Sequence, residues 1–264
     1  MRNVFLISAN TLRETLRQKL MILVALVALA LVLSSKYLLS LDLGHEQLRV
    51  VFDFGSGALG FFGSIIAVVA TCQIFHSELE NKTVITLLSK PVGYAQFAAG
   101  KFLGAAAALA LFAAVIAAAT CLMLFITRAG FGEATERLSG GLETNYAGVC
   151  AYAFAQWCKL CAVAAVAAFV CSVSTSLLFS AVVSFMALAV STAGEITRWL
   201  GGKTEGFAKI ASYAFPDFNM FNALEKFAFA PVDCTAFWAA VAYAAVYSAA
   251  AVAAAAFAFS KREF

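Results

Sequence analysis

Phe102-Leu-Gly-Ala-Ala-Ala-Ala-Leu-Ala-Leu-Phe-Ala-Ala-Val-Ile-Ala-Ala-Ala-Thr-Cys-Leu-Met-Leu-Phe-Ile-Thr127 runs for 26 residues without a charge. A helix needs about 20 apolar residues to cross roughly 30 Å of hydrocarbon, so this stretch is long enough to span a bilayer. Five more stretches qualify, at 20–41, 55–75, 146–171, 177–196 and 235–260. Lys36, near the end of the first, can snorkel to the interface. The fourth and fifth are separated only by Ser172-Val-Ser-Thr-Ser176, a polar turn that makes them an antiparallel hairpin. Composition agrees: 63% of the 264 residues are hydrophobic and 12% charged, against about 45–50% and 25% in ordinary globular domains. The mean hydropathy is +0.89. Water could not solvate so apolar a surface, so a soluble enzyme, a fibrous repeat and a disordered chain are all disfavoured. The expected fold is an all-α integral membrane protein, one transmembrane domain over 1–264 with six spans and both termini on one side.

Eighteen Lys and Arg against 15 Asp and Glu give a net charge of +3, too small and scattered for nucleic acid. Cys72, Cys121, Cys150, Cys158, Cys161 and Cys171 fall in apolar runs and Cys234 in a more mixed one. No disulfide framework is implied, because that needs paired cysteines in an oxidising aqueous compartment. Residues 1–19 are amphipathic and carry Arg2, Arg13, Arg17 and Lys19 ahead of a run long enough to stay in the membrane, unlike a cleavable signal. With both termini inside, nine basic residues lie there. The other side holds eight: Lys36, Arg49, Arg128, Arg137, Arg198, Lys203, Lys209 and Lys226. The inner segments are shorter and so denser in positive charge, which favours N-in and C-in.

Several motifs compete for a functional reading. Gly55-Ser-Gly57-Ala-Leu-Gly60 follows the strand-like Arg49–Asp53 and has Glu78 eighteen residues beyond, as a dinucleotide fold would. The helix after it is apolar on every face, so close helix packing by small residues explains it better. Leu138-Ser-Gly-Gly-Leu142 resembles an ATPase signature loop. No phosphate-cradling loop accompanies it, because Gly93…Gly100-Lys101-Phe102 has the wrong spacing and no hydroxyl for magnesium. Cys158-Lys-Leu-Cys161 puts two thiols on one helical face; it suits redox or soft-metal chemistry or two small hydrophobes. His45 and His76 fall on opposite sides, so they build no metal site. Lys159 is a charge inside an apolar run, and such a charge costs about 2.5–3.5 kcal/mol at mid-bilayer. Trp157 beside it favours an interface anchor, with a functional cavity lysine as the alternative. Glu195 is the other ionisable group near a span, and the two make a thin set for proton coupling.

The most informative segment is 76–101, on the inner side. Glu78 and Glu80 precede Lys82, and Val84, Ile85, Leu87 and Leu88 form an apolar set closed by Pro91. This predicts a short amphipathic helix stopped by proline, with a charged edge and an apolar ridge for a soluble partner or for the membrane surface. Segment 195–236 is the longest outside the spans; its alternating aromatic and polar residues predict short helices lying in or dipping into the interface.

Glu78-x-Glu80-x-Lys82-Thr83-x-x-x-Leu87-Leu88-Ser89-Lys90-Pro91-Val92, then Gln96-Phe97-x-x-Gly100-Lys101, resembles the corresponding segment of type-2 ABC transporter permeases. The branch it is most similar to is often labelled multi-copper enzyme maturation permease. Three further matches lie in family order: Asn10-Thr11-x-Arg13-Glu14-x-x-Arg17-x-Lys19, Phe215-Pro216-Asp217-Phe218 and Phe259-x-Lys261-Arg262-Glu263-Phe264. Tyr94 stands where the family commonly carries Arg. The resemblance implies six spans, an N-terminal interfacial helix bearing Arg13, Glu14, Arg17 and Lys19, and a cytosolic coupling helix. The coupling residues would be Glu78, Glu80, Lys82, Thr83, Leu87, Leu88, Lys90 and Pro91. It implies no catalytic residue, no metal and no cofactor in this chain. ATP and magnesium would belong to two separate ATPase subunits, and a second permease copy or homologue would complete the exporter in the inner membrane. A non-transporting membrane anchor, or a redox or metal-handling protein using Cys158 and Cys161, are the alternatives.

Overall fold

The computed structural model describes residues 2–39, 47–80, 94–131, 144–192 and 216–261. Among them there is no strand. In chain order the elements are α1 (Arg2–Arg17), α2 (Lys19–Leu39), α3 (Gln47–Glu80), α4 (Tyr94–Phe131), α5 (Tyr146–Val173), α6 (Leu177–Thr192), α7 (Asn219–Asn222), a 3-10 helix (Ala223–Ala228) and α8 (Cys234–Ser260). Alanine and leucine dominate the long helices, and both are strong helix formers. In hydrocarbon a helix also satisfies every backbone donor and acceptor within itself.

Five helices, α2, α3, α4, α5 and α8, are long and apolar enough to cross a membrane, the pattern of a multi-pass membrane protein. Large apolar side chains face outward on them, including Leu23, Leu26, Phe61, Phe125, Trp238 and Val246, a surface suited to lipid. The remaining expected span, 177–196, is described only as α6, whose 16 residues rise about 24 Å; 193–196 lie outside the described residues.

Two expectations shift. Arg49–Asp53, read as strand-like, is the first part of α3, because the apolar stretch behind it carries the helix back to Gln47. The loop 76–101 is shorter than its composition suggests. Residues 76–80 continue α3 and 94–101 open α4, while Lys82, Thr83, Leu87, Leu88, Lys90 and Pro91 lie outside the described residues.

Helix α5 forms the centre. Leu160, Ala162, Ala164, Ala165, Ala167 and Cys171 are at most 1% exposed, and small side chains let α3, α4, α6 and α8 approach it closely. Gly63 on α3 takes the Leu160 side chain against its bare Cα. The turn after α5 closes on itself: Ser174 caps the helix through its N–H to the Val170 carbonyl, and its Oγ bonds the Ser176 backbone. Helix α6 then runs back along the C-terminal half of α5. Ser184, Ala187, Leu188 and Ser191 share a small void with Val163 and Val166, and the Phe218 N–H donates to the Ser191 carbonyl at 3.3 Å. From Phe218 the chain follows the N-terminal half of α5. Asn145 receives it, since its N–H donates to the Ala228 carbonyl at 2.9 Å and its side-chain amide to the Ala230 carbonyl at 3.2 Å. The length of α5 is thus covered by two pieces, α6 and the α7–3-10 segment, meeting midway.

Candidate functional site

Two polar clusters interrupt the apolar packing. The first joins α1, α3 and α4. Gly100 and Gly104, four residues apart, leave a furrow on α4 that seats α1. A Cβ at Gly100 would lie 2.8 Å from Ile7 Cγ2; at Gly104 it would lie 2.5 Å from Thr11 Cβ and 2.7 Å from the Ser8 carbonyl oxygen. The docked face of α1 includes Thr11 and Thr15, both at most 1% exposed, and Thr15 returns its hydroxyl to the Thr11 carbonyl. This docking brings Glu14 between two helices. Its Oε2 lies 3.4 Å from Lys101 Nζ on α4, and its Oε1 accepts the Ser77 hydroxyl of α3 at 3.2 Å. Lys101 is buried, so the pair is shielded on its cationic side. Arg13, Arg17 and Lys19 are exposed beside Phe5, Leu6 and Leu16. The tail closes the same end: Phe259 of α8 stacks on Phe75 of α3 and meets Phe97 of α4 edge-on.

The second cluster lies along α5. Tyr152, Gln156 and Lys159 are spaced for one helical face and look toward the α7–3-10 segment. Lys159 Nζ donates to Asn222 Oδ1 at 3.2 Å. The Tyr152 hydroxyl donates to Glu225 Oε1 at 3.2 Å and accepts from Gln156 Nε2 at 2.9 Å. Gln156 is 1% exposed and, among the described residues, its Oε1 has no partner. Lys159 is 5% exposed and stands fourteen residues from Asn145 and from Val173 alike, about 21 Å from either end of α5. The Trp157 indole N–H donates to the Ala106 carbonyl of α4 at 3.0 Å. Among the described residues no carboxylate lies within ion-pair distance of Lys159. Glu225 is the nearby acid, and burial holds its carboxyl above the usual glutamate range, against the pull of the Tyr152 hydroxyl. Gly148 permits the arrangement, since a Cβ there would collide with the Phe227 carbonyl oxygen.

At the start of α8 the Asp233 carboxylate caps the helix. It accepts the Thr235 hydroxyl at 2.6 Å and the Thr235 N–H at 3.0 Å, and these bonds hold it below the usual aspartate range.

The structure therefore draws Glu14 into a junction and Lys159 into a network. Glu78 and Glu80 lie on the last turn of α3 by backbone alone, and Glu195 lies outside the described residues. Cys158 and Cys161 share α5; the short sulfur contact is elsewhere, from Cys171 to Cys72. Ser77, Tyr152, Gln156, Asn222 and Glu225 were not singled out from sequence. The signal was present for one pair, since Gln156 and Lys159 are polar residues three apart in otherwise apolar surroundings. Compared with known proteins, the chain matches no protein-family model and no curated protein.

Proposed function

We propose that this chain is the membrane-spanning permease subunit of an ATP-binding cassette exporter, driven by two separate ATPase subunits that hold ATP and magnesium. A second copy or homologue completes the pathway. The chain lies in the inner (cytoplasmic) membrane with both termini inside, and α6 belongs to the remaining crossing expected over 177–196. The observation that carries this reading is the position of Glu14, which bridges Ser77 before the motif-bearing segment and Lys101 after it. Both flanks of segment 81–93 are thereby fastened to one amphipathic helix, so a push on that segment moves α1, α3 and α4 together.

In this mechanism Leu87 and Leu88 anchor the segment in a groove of the ATPase, and Glu78, Glu80 and Lys82 set its register by charge pairing. Arg13, Arg17 and Lys19 meet the anionic inner leaflet while Phe5, Leu6 and Leu16 enter its apolar edge. Closure of the ATPase pair on ATP tilts the helices and opens a path outward. The experiment is reconstitution with the ATPase subunit, scoring substrate-stimulated hydrolysis. Glu80→Ala combined with Leu88→Asp should abolish the stimulation while membrane insertion persists; stimulation equal to the unaltered protein would falsify the coupling role.

A further inference from the structure

Seven cysteines are free, and one close pair joins α5 to α3. Cys171 Sγ of α5 lies 3.4 Å from Cys72 Sγ of α3, across 99 residues of sequence. Both are 0% exposed, and the hydroxyls of Ser180 and Ser184 on α6 face the same two sulfurs. Oxidation would bring the sulfurs from 3.4 Å to about 2.05 Å, a smaller movement than a rotamer change supplies. Cys158 and Cys161 differ in kind, because a bond between them would stay within one helix and restrain nothing between helices.

Position gives the pair a consequence. Cys171 stands two residues from the end of α5, beside the turn at 174–176, whose flanks Val173 and Leu178 are 66% and 76% exposed. Cys72 stands five residues before Ser77, the α3 residue bonded to Glu14, about 7 Å along the helix. Both sulfurs are buried and the large exposed side chains nearby, Val173, Leu178 and Phe179, are apolar, so a lipid-soluble oxidant suits the site better than a water-borne one.

We propose that Cys72 and Cys171 form a redox-sensitive tie that fastens α3 to α5 when a bilayer-soluble oxidant of the quinone class takes their electrons. Two S–H bonds break and one S–S bond forms; the two protons and two electrons released reduce the quinone to its hydroquinone. The tie holds the inner end of α3 against α5, and α3 can no longer follow the segment beyond Glu80. This last consequence rests on the permease reading; the covalent step does not.

The experiment treats membranes containing the full chain with duroquinone, a fully substituted quinone that cannot add to thiols. Free thiols are then blocked, and the protein is digested without reduction and mapped by mass. A peptide joining Cys72 to Cys171, two mass units below the sum of its parts, is expected; dithiothreitol should reverse it, and Cys72→Ser should prevent it. Full alkylation of both cysteines after oxidation, or random linkage among the others, overturns the tie. In reconstituted complexes oxidation should lower stimulated hydrolysis at least fivefold, reversibly, with Cys171→Ala insensitive. Hydrolysis unchanged while the linked peptide is present overturns the switch. Absence of stimulation in every redox state counts against the permease reading alone, because the peptide map still decides the tie.

Discussion

Gly104→Ala tests the docking of α1 on α4 most sharply. The added Cβ would lie 2.5 Å from Thr11 Cβ and 2.7 Å from the Ser8 carbonyl oxygen, where ordinary contact begins at 3.4 Å. The Ser8 oxygen is backbone and cannot rotate away, so α1 must withdraw by about 0.7–0.9 Å. Carried along the helix to Glu14, this takes the 3.4 Å contact with Lys101 to about 4.3 Å, beyond ion-pair range. Overpacking of this size costs about 1–3 kcal/mol, and for a chain of this length each kcal/mol moves the melting temperature by about 2–4 °C. Gly60→Ala is the control, since nothing lies within 4 Å of its new Cβ. The assay is a thermal scan in detergent of protein whose exposed Cys150 and Cys234 are replaced by Ser, with a thiol-reactive dye that reports exposure of the buried cysteines. Gly104→Ala should melt about 2–12 °C lower and lose stimulated hydrolysis, and Gly60→Ala should do neither. Thr11→Gly added to Gly104→Ala should restore only part of the loss, because it leaves the Ser8 contact. If Gly104→Ala melts with Gly60→Ala, the seating of α1 described above is wrong.

Two further predictions concern the network on α5. Lys159→Met removes a buried charge while keeping the stem, so its melting temperature should equal or exceed that of the unaltered protein. Asn222→Leu leaves the ammonium without its acceptor and should cost about 1–3 kcal/mol, read in the same scan. For Glu225, burial raises the folded-state affinity for a proton above the unfolded value. Its contribution to stability is therefore full below the ordinary glutamate range and is lost as pH rises through the raised folded value. Glu225→Gln should flatten the fall in melting temperature on that rise; an unchanged slope would assign the fall to another group.

Much of the architecture was legible along the chain. An unbroken 26-residue apolar run can only be a membrane helix or a wholly buried one, and the 172–176 turn announces its hairpin through its serines and threonine. The docking furrow was also written there, as Gly100 and Gly104 at helical spacing, yet a glycine pair does not name the helix that fills it. Glu14 illustrates the same gap. Its place in an amphipathic helix follows from periodicity, but its bridge between Ser77 and Lys101 spans 63 and 87 residues, and local pattern holds no record of such distances.

Lys159 marks how far linear reading reaches, since its acceptor Asn222 lies 63 residues away. A neighbouring tryptophan is a fair sign of an interface when only sequence neighbours are visible, and here Trp157 points into α4. Unbroken apolar length in the spans and periodicity in α1 marked these segments as helices, because both properties act over a few turns of chain. Which polar groups meet inside the bundle was left to tertiary packing. A desolvated lysine or carboxylate must find a partner in three dimensions, and the nearest one lay on a segment that folds back beside it.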